Sequence, residues 1–289
     1  MANEVTYSTF GDASLAAAVA NEHILGAMYD LNHVERLTRR VNLAGIPSKS
    51  HDIALWPRLA AATVGEGVDL TATPVSSSKV TVTAAEQGIM VVPTDALNLS
   101  SLVSIMDFAA ACAEAIREKQ MGDVANLATG FSTTVGSTGV NLTEANILAA
   151  IAALANARQT GPFYGLLYPQ QWLDYLASVG STFTPAASTG AAGARAETNN
   201  FALADNGFQG DVFGNQWLTS TAVPTANAGA DSAGMLIKPS RAIARGVKYD
   251  SRTEIQRDAS LRATEVVVTA FDGVVEIEDA AGVGIITDR

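Results

Sequence analysis

The chain has 289 residues, 48% of them hydrophobic and only 16% charged, with a net charge of −11. That length suits one large domain or two small ones with a sizeable core. The acidity speaks against direct nucleic-acid binding, which needs a basic face to displace counterions. The lone Cys112 allows no internal disulfide, and no apolar run reaches the length of a membrane span. With so few charges, and Ala, Gly, Ser and Thr in their place, much of the surface is expected to be covered by neighbours.

In chain order, residues 1–11 read as a loose arm without the basic and apolar regions of a secretory leader, so a soluble protein made in a reducing cytoplasm is expected. Over residues 12–40, Leu15, Val19, His23, Ala27, Leu31 and Val34 recur every three or four positions, the period of a helix, with Asp12 or Ser14 as its cap. Residues 41–80 are extended and polar, marked by Pro47, Pro57 and Pro74 and by Gly45, Gly65 and Gly67. Their apolar residues are too few to build a core, and an ordered arm without a core needs a surface outside itself. Trp56, set between Leu55 and Pro57, is either an anchor for a neighbouring subunit or locally packed.

From Lys79 the period changes to two. Val80, Val82 and Ala84 alternate with Thr81 and Thr83, and residues 89–92 close a second strand before Pro93. Residues 94–97 read as a turn or short helical entry. Ser100 or Ser101 is expected to cap a long helix with a stripe of Leu102, Ile105, Met106, Ala109, Cys112 and Ile116, reaching about Gly130, some ~45 Å at 1.5 Å per residue. Asn141, with Glu144 three residues on, suggests the cap of a second helix whose core face is Ile147, Leu148, Ile151 and Leu154. Gly161-Pro162 is a turn, residues 163–168 a buried strand, and Pro169 opens a short helix to Leu176. Residues 180–200 are low-complexity and loop-like. Residues 211–221 and 234–239 read as strands of one sheet. Residues 265–271 and 274–278 flank Asp272-Gly273 as a hairpin on a type I′ turn, and residues 284–287 add another strand.

Catalytic motifs are missing from this pattern. His23, His33 and His51 have no metal-ligand spacing, and His23 reads as a core or interface residue. There is no Gly-x-Ser-x-Gly elbow and no Gly-Lys-Ser/Thr phosphate loop. Gly65-Glu66-Gly67 and Gly282-Val283-Gly284 read as turns, and Glu276, Glu278 and Asp279 as a solvated strand face. Trp172, Trp217 and an inert Cys112 are expected in the core. The sequence therefore assigns no catalytic residue, cofactor or metal ligand, and no enzyme activity.

The order of parts resembles the major capsid proteins of tailed bacteriophages, the Hong-Kong-97-type fold. The resemblance runs through Glu66-Gly67-Val68-Asp69, the strand region from Val80 to Pro93 and the spine helix at 100–129. It continues through residues 141–175, which contain Gly161-Pro162-Phe163-Tyr164-Gly165, and residues 257–287, which contain Phe271-Asp272-Gly273-Val274-Val275-Glu276. It implies an α+β fold in four parts: an N-terminal arm and helix (1–47), an extended β-hairpin loop (48–79), a peripheral domain with the spine helix (80–135 and 246–289), and an axial α/β domain (136–245). It also implies self-assembly into hexamers and pentamers of an icosahedral shell that encloses double-stranded DNA without sequence-specific binding. That location is the virion, after assembly in the host cytoplasm, with no membrane and no cofactor. The chain starts too close to the arm for a scaffolding extension, so a separate scaffolding protein is expected, with a portal and a possible cement protein. Within the extended loop, Ile53, Leu55, Trp56, Arg58 and Glu66 are the candidate contacts between subunits. Some family members cross-link lysine to asparagine. Lys49 and Lys79 lie in the arm, but no partner asparagine or assisting glutamate matches, so that chemistry is not carried over. The alternatives are an encapsulin-type nanocompartment shell of the same fold, a soluble enzyme with a polar-lined pocket, and a surface-adhesion β-protein, against which the missing leader speaks.

Overall fold

The computed structural model describes residues 33–61, 63–67, 69, 72–100, 105–182 and 208–289. The arm at 1–11, residues 12–32 of the first helix, His23, and most of the 180–200 loop lie outside them. Helix α1 (His33–Leu37) gives way to strand β1 (Arg39–Asn42). The helical period expected to reach Arg40 stops at Leu37, because residues 39–42 pair in parallel with residues 244–247 of the long strand β11 (Ile243–Asp258). Tertiary pairing overrides local period here.

Strands β2 (Ser50–Leu55) and β3 (Ser78–Thr83) form a two-stranded antiparallel ribbon, with Ser50 opposite Thr83 and Leu55 opposite Ser78. Strand β4 (Ala85–Val91) follows and becomes an edge of a four-stranded sheet in the order β1-β11-β12-β4, where β12 is Ala263–Glu276. The two strands read from residues 79–92 are therefore present but belong to different sheets.

The expected hairpin at Asp272-Gly273 does not form. Strand β12 runs straight through it, with Asp272 opposite Val247 and Gly273 opposite Gly246. The glycines serve close approach instead of a turn. A Cβ on Gly273 would lie 2.1 Å from the Thr83 carbonyl oxygen, and one on Gly246 would lie 3.0 Å from both Val82 and Leu43 side chains. The pair leaves room for the root of the ribbon to rest on the sheet. The turn joining β11 to β12 lies further back, at Asp258. There Oδ1 accepts the Ser260 N–H at 2.8 Å and the Leu261 N–H at 3.3 Å, and Arg262 takes φ +50°. Arg257 clamps this tip to Asp95 through two 2.7 Å hydrogen bonds.

Ser100 already lies within a helix, α2 (Asp95–Ser100), where it was expected as a cap; Ser101 lies outside the described residues. The described part of the spine, α3 (Ile105–Asn126), is 22 residues or about 33 Å long, and continues as a 3-10 turn, Leu127–Thr129. Cys112 and Ile116 pack on Val266, Val268 and Ala270, the alternate positions of β12. Further on, Met121, Val124, Ala125 and Ala128 share one cluster with Val34 and Leu37 of α1 and with Leu166, Leu218, Met235 and Ile237. The same helix thus packs on both sheets.

The second sheet has seven strands, in the order β5-β13-β10-β6-β8-β7 with β9 also on β10. They are β5 (Thr134–Val135), β6 (Tyr164–Leu167), β7 (Phe208–Val212), β8 (Asn215–Thr219), β9 (Thr225–Ala226), β10 (Asp231–Ile237) and β13 (Gly282–Asp288). Both faces are covered. Ala233, Met235 and Ile237 of β10 join the spine-helix cluster, while Leu236 joins Ile147 and Leu154 of α4 (Glu144–Asn156) and Trp172 of α5 (Pro169–Thr182). Two covered faces explain why every residue of β10 is buried, Asp231 and Ser232 included. Trp172 and Trp217 are core residues, 5% and 0% exposed. Gly165 makes room for Trp217: a Cβ there would sit 2.2 Å from the indole ring.

Other local expectations shift. Thr143, not Asn141, occupies the cap position of α4, and the Glu144 N–H is taken by the Ser178 hydroxyl of α5 at 3.2 Å. Helix α5 runs past Leu176 to Thr182, anchored by fully buried Gln171, whose amide donates to the Ser232 carbonyl at 2.9 Å and to Thr287 Oγ1 at 2.8 Å. The final strand, β13, pairs antiparallel with β10 and parallel with β5 in the seven-stranded sheet. Gly282-Val283-Gly284 lies inside that strand, where a Cβ on Gly282 would meet the Phe131 ring at 2.1 Å. A short helix, α6 (Pro239–Ala242), carries the chain from β10 back to β11.

Candidate functional site

The segment between β2 and β3 is the feature the sequence singles out. At its root the ribbon is built like any half-buried hairpin. Ile53 and Val82 turn inward and pack with Ala244 and Ile277, with Leu55 and Val41 closing the cluster. Asp52 on the opposite face accepts hydrogen bonds from Lys79 Nζ at 2.7 Å and Thr81 Oγ1 at 2.6 Å, which hold its carboxyl below the ordinary range. Beyond Leu55 the packing ends. Every described residue from Trp56 to Lys79 is exposed. Trp56 is 74% exposed and Leu59 65%, with Val64 and Val75 also open to solvent. Gly67, at φ +77°, turns the chain beside Glu66. Arg58 donates from Nη2 to the Arg158 carbonyl at 3.4 Å.

The candidate contact residues therefore separate. Ile53 is buried within its own chain, and Leu55 packs beside it half-buried. Trp56, Arg58 and Glu66 lie on the exposed stretch. The pairing that buries Ile53 is a register fact, and its alternation with exposed Asp52 and Ala54 was the signal for it.

The titratable groups elsewhere take structural parts. His33 is buried, neither ring nitrogen has a hydrogen-bond partner among the described residues, and its pKa is pushed down to about 4 by burial and by Arg36. The Cys112 thiol is buried and its pKa is raised by that burial. The Glu276, Glu278 and Asp279 carboxylates are not a free solvated face. Asp279 accepts the Ser132 N–H at 2.8 Å and Glu278 accepts the Gln159 amide at 3.0 Å. Glu276 is held above its usual value by burial and by Asp279 beside it. Among the described residues, no group of three or more His, Cys, Asp or Glu side chains is placed to hold a metal ion, and no helix is long and apolar enough to cross a membrane.

No family model matches the chain, and no curated protein sequence matches it. Solved structures do. A chain from Mycobacterium phage Che8 superposes with a TM-score of 0.66 at 19% identity, over 87% of this chain and 90% of that one. The asymmetric unit of the mature capsid of bacteriophage PhiM1 supplies a chain at TM-score 0.64 and 12% identity, with 88% and 86% covered. The capsid of cyanophage P-SCSP1u supplies another at 0.60 and 14%, with 88% and 87% covered. What is shared at such identities is the fold, and it is the α+β Hong-Kong-97-type fold of phage capsid chains.

Proposed function

We propose that this chain is the major capsid protein of a tailed bacteriophage, assembling into hexamers and pentamers that close an icosahedral shell around packaged double-stranded DNA. One observation carries the reading: the likeness in fold to chains of phage capsids over 88% of the length, with comparable coverage of those chains. The extended loop supports it. A stretch whose described residues are all exposed, and which carries Trp56 and Leu59, gains an interior only when laid against another molecule. Heterologous contacts repeated by rotation close a ring of identical copies, and a loop reaching over the next subunit adds contact area without a larger body. Trp56, Arg58 and Glu66 are the residues of that contact. The net charge of −11 favours a wall that encloses DNA without gripping it. A separate scaffolding protein, a portal and a cement protein belong to the same reading, as do a virion location and a structural, non-enzymatic role.

The test is assembly of the purified full chain, followed by size-exclusion chromatography with light scattering and by negative-stain microscopy. Capsomers of five and six, or closed shells, are expected. Only monomer or dimer at high concentration overturns the reading, and a small shell filled with enzyme cargo replaces it by a nanocompartment. Removing residues 57–77, which leaves both strands of the ribbon, should give a folded subunit that no longer assembles.

A further inference from the structure

The hairpin between β7 and β8 turns on Phe213 and Gly214, with Val212 paired to Asn215 across it. Their φ angles are +53° and +74°. A two-residue turn with both central residues left-handed is the type I′ geometry, in which Asn-Gly and Asp-Gly dominate because only small or locally hydrogen-bonding residues tolerate it. A phenylalanine there is an outlier: its Cβ crowds the following carbonyl oxygen. The chain's own packing does not account for it, because Phe213 is 44% exposed. The turn is fixed from behind. Asn215 donates from Nδ2 to the Phe213 carbonyl at 3.1 Å, and its Oδ1 accepts the Phe163 N–H at 3.0 Å. The fold thus holds an aromatic residue at a rigid hairpin tip, in a backbone conformation that disfavours it. Strain kept to present an exposed aromatic is the mark of a contact residue.

Position says what the contact is with. Strand β7 is the outermost strand of the seven-stranded sheet, and among the described residues its free edge has no strand partner. The tip stands beside Gly161 and Phe163, at the end of the sheet where β6 begins. That is a few residues past Arg158, whose carbonyl receives Arg58 of the extended loop. Among the described residues, Phe213 therefore sits at the outer edge of its sheet, at the end that the loop reaches. In a ring of identical copies that edge adjoins the next copy.

Resting on the shell-protein reading, we propose that Phe213 is an anchor through which this hairpin tip docks on a second copy of the same chain. Phe213→Asn tests it, because it gives the turn the residue its backbone prefers while removing the anchor. In unassembled protein, the unfolding temperature of Phe213→Asn should equal or exceed that of the parent. In the assembly assay, the concentration needed to form capsomers or shells should rise at least tenfold, and Phe213→Tyr should assemble like the parent. If Phe213→Asn assembles as readily as the parent, the anchor is refuted and the shell reading stands; docking of a different protein on this tip would show that result. If Phe213→Asn unfolds earlier than the parent, the ring serves its own subunit and the proposal falls. If the parent itself stays monomeric, the shell reading falls and takes the anchor with it.

Discussion

Replacing Asp272 should destabilise the isolated chain far more than an ordinary acidic substitution. Its Oδ2 accepts the Arg245 Nε–H at 2.8 Å between two strands of the four-stranded sheet, and the two side chains are only 3% and 5% exposed. Truncating one member leaves the other buried and uncompensated, at a cost of about 3–5 kcal/mol. Asp250 stands 3.7 Å from the same guanidinium but is half exposed and already bound to Arg40, so it offsets little. At roughly 2–4 °C per kcal/mol for a chain of this size, Asp272→Ala should lower the unfolding midpoint by about 6–20 °C. Arg245→Met combined with Asp272→Leu removes both charges and keeps the volume apolar. That double variant should stay within about 1 kcal/mol of the parent or exceed it. Denaturant unfolding followed by circular dichroism, across all four corners of the cycle, measures the coupling. Asp272→Ala costing under about 1 kcal/mol, or a double variant equal to the sum of the singles, would refute the buried pair. It would also restore the solvated turn that Asp272-Gly273 suggests in the sequence.

Gly165→Ala places a Cβ 2.2 Å from the Trp217 ring and must displace the indole. A loss of about 1–3 kcal/mol with a shifted tryptophan emission is expected, and an unchanged midpoint would contradict the packing described. His33 titrates at about 4 in the folded chain and near 6.5 when unfolded. Its folded form therefore binds protons less readily, so the stability it contributes is complete above pH 6.5 and is lost as pH falls towards 4. The total is on the order of 3 kcal/mol. His33→Leu should flatten the stability profile across that window, whereas a profile running parallel to the parent's would remove His33 as the cause.

Elements with an uninterrupted period were legible in the sequence. The spine helix and the alternation of Val80 and Val82 show their spacing because one face of each is buried. The 57–77 loop was legible as a shortage of apolar residues. What escaped depends on register. Asp272-Gly273 carries a genuine turn signature, yet Gly273 is needed because Gly246 lies opposite it and the ribbon crosses both. The competing turn signal, Asp258 followed by Ser260, was just as local and was the one used. Ile53 looked like part of a bare arm because its partner strand lies across the whole loop. Phe213 was invisible because Phe-Gly is not a turn signature; its exceptional backbone appears only in three dimensions.

Neither sheet is made from one continuous stretch of polypeptide. The four-stranded sheet joins strands within residues 39–91 to strands within 243–276, and the seven-stranded sheet holds Gly282–Asp288 between two of its earlier strands. A ribosome delivers the amino-terminal part first, so a nascent chain carries open strand edges in the four-stranded layer until residue 276 has emerged and in the seven-stranded layer until residue 288 has. The seven-stranded sheet therefore cannot close before residues 282–288 have been made. A chain cut short of Gly282 would lack a strand from the middle of that sheet, between β5 and β10, and would leave both of them with an open edge.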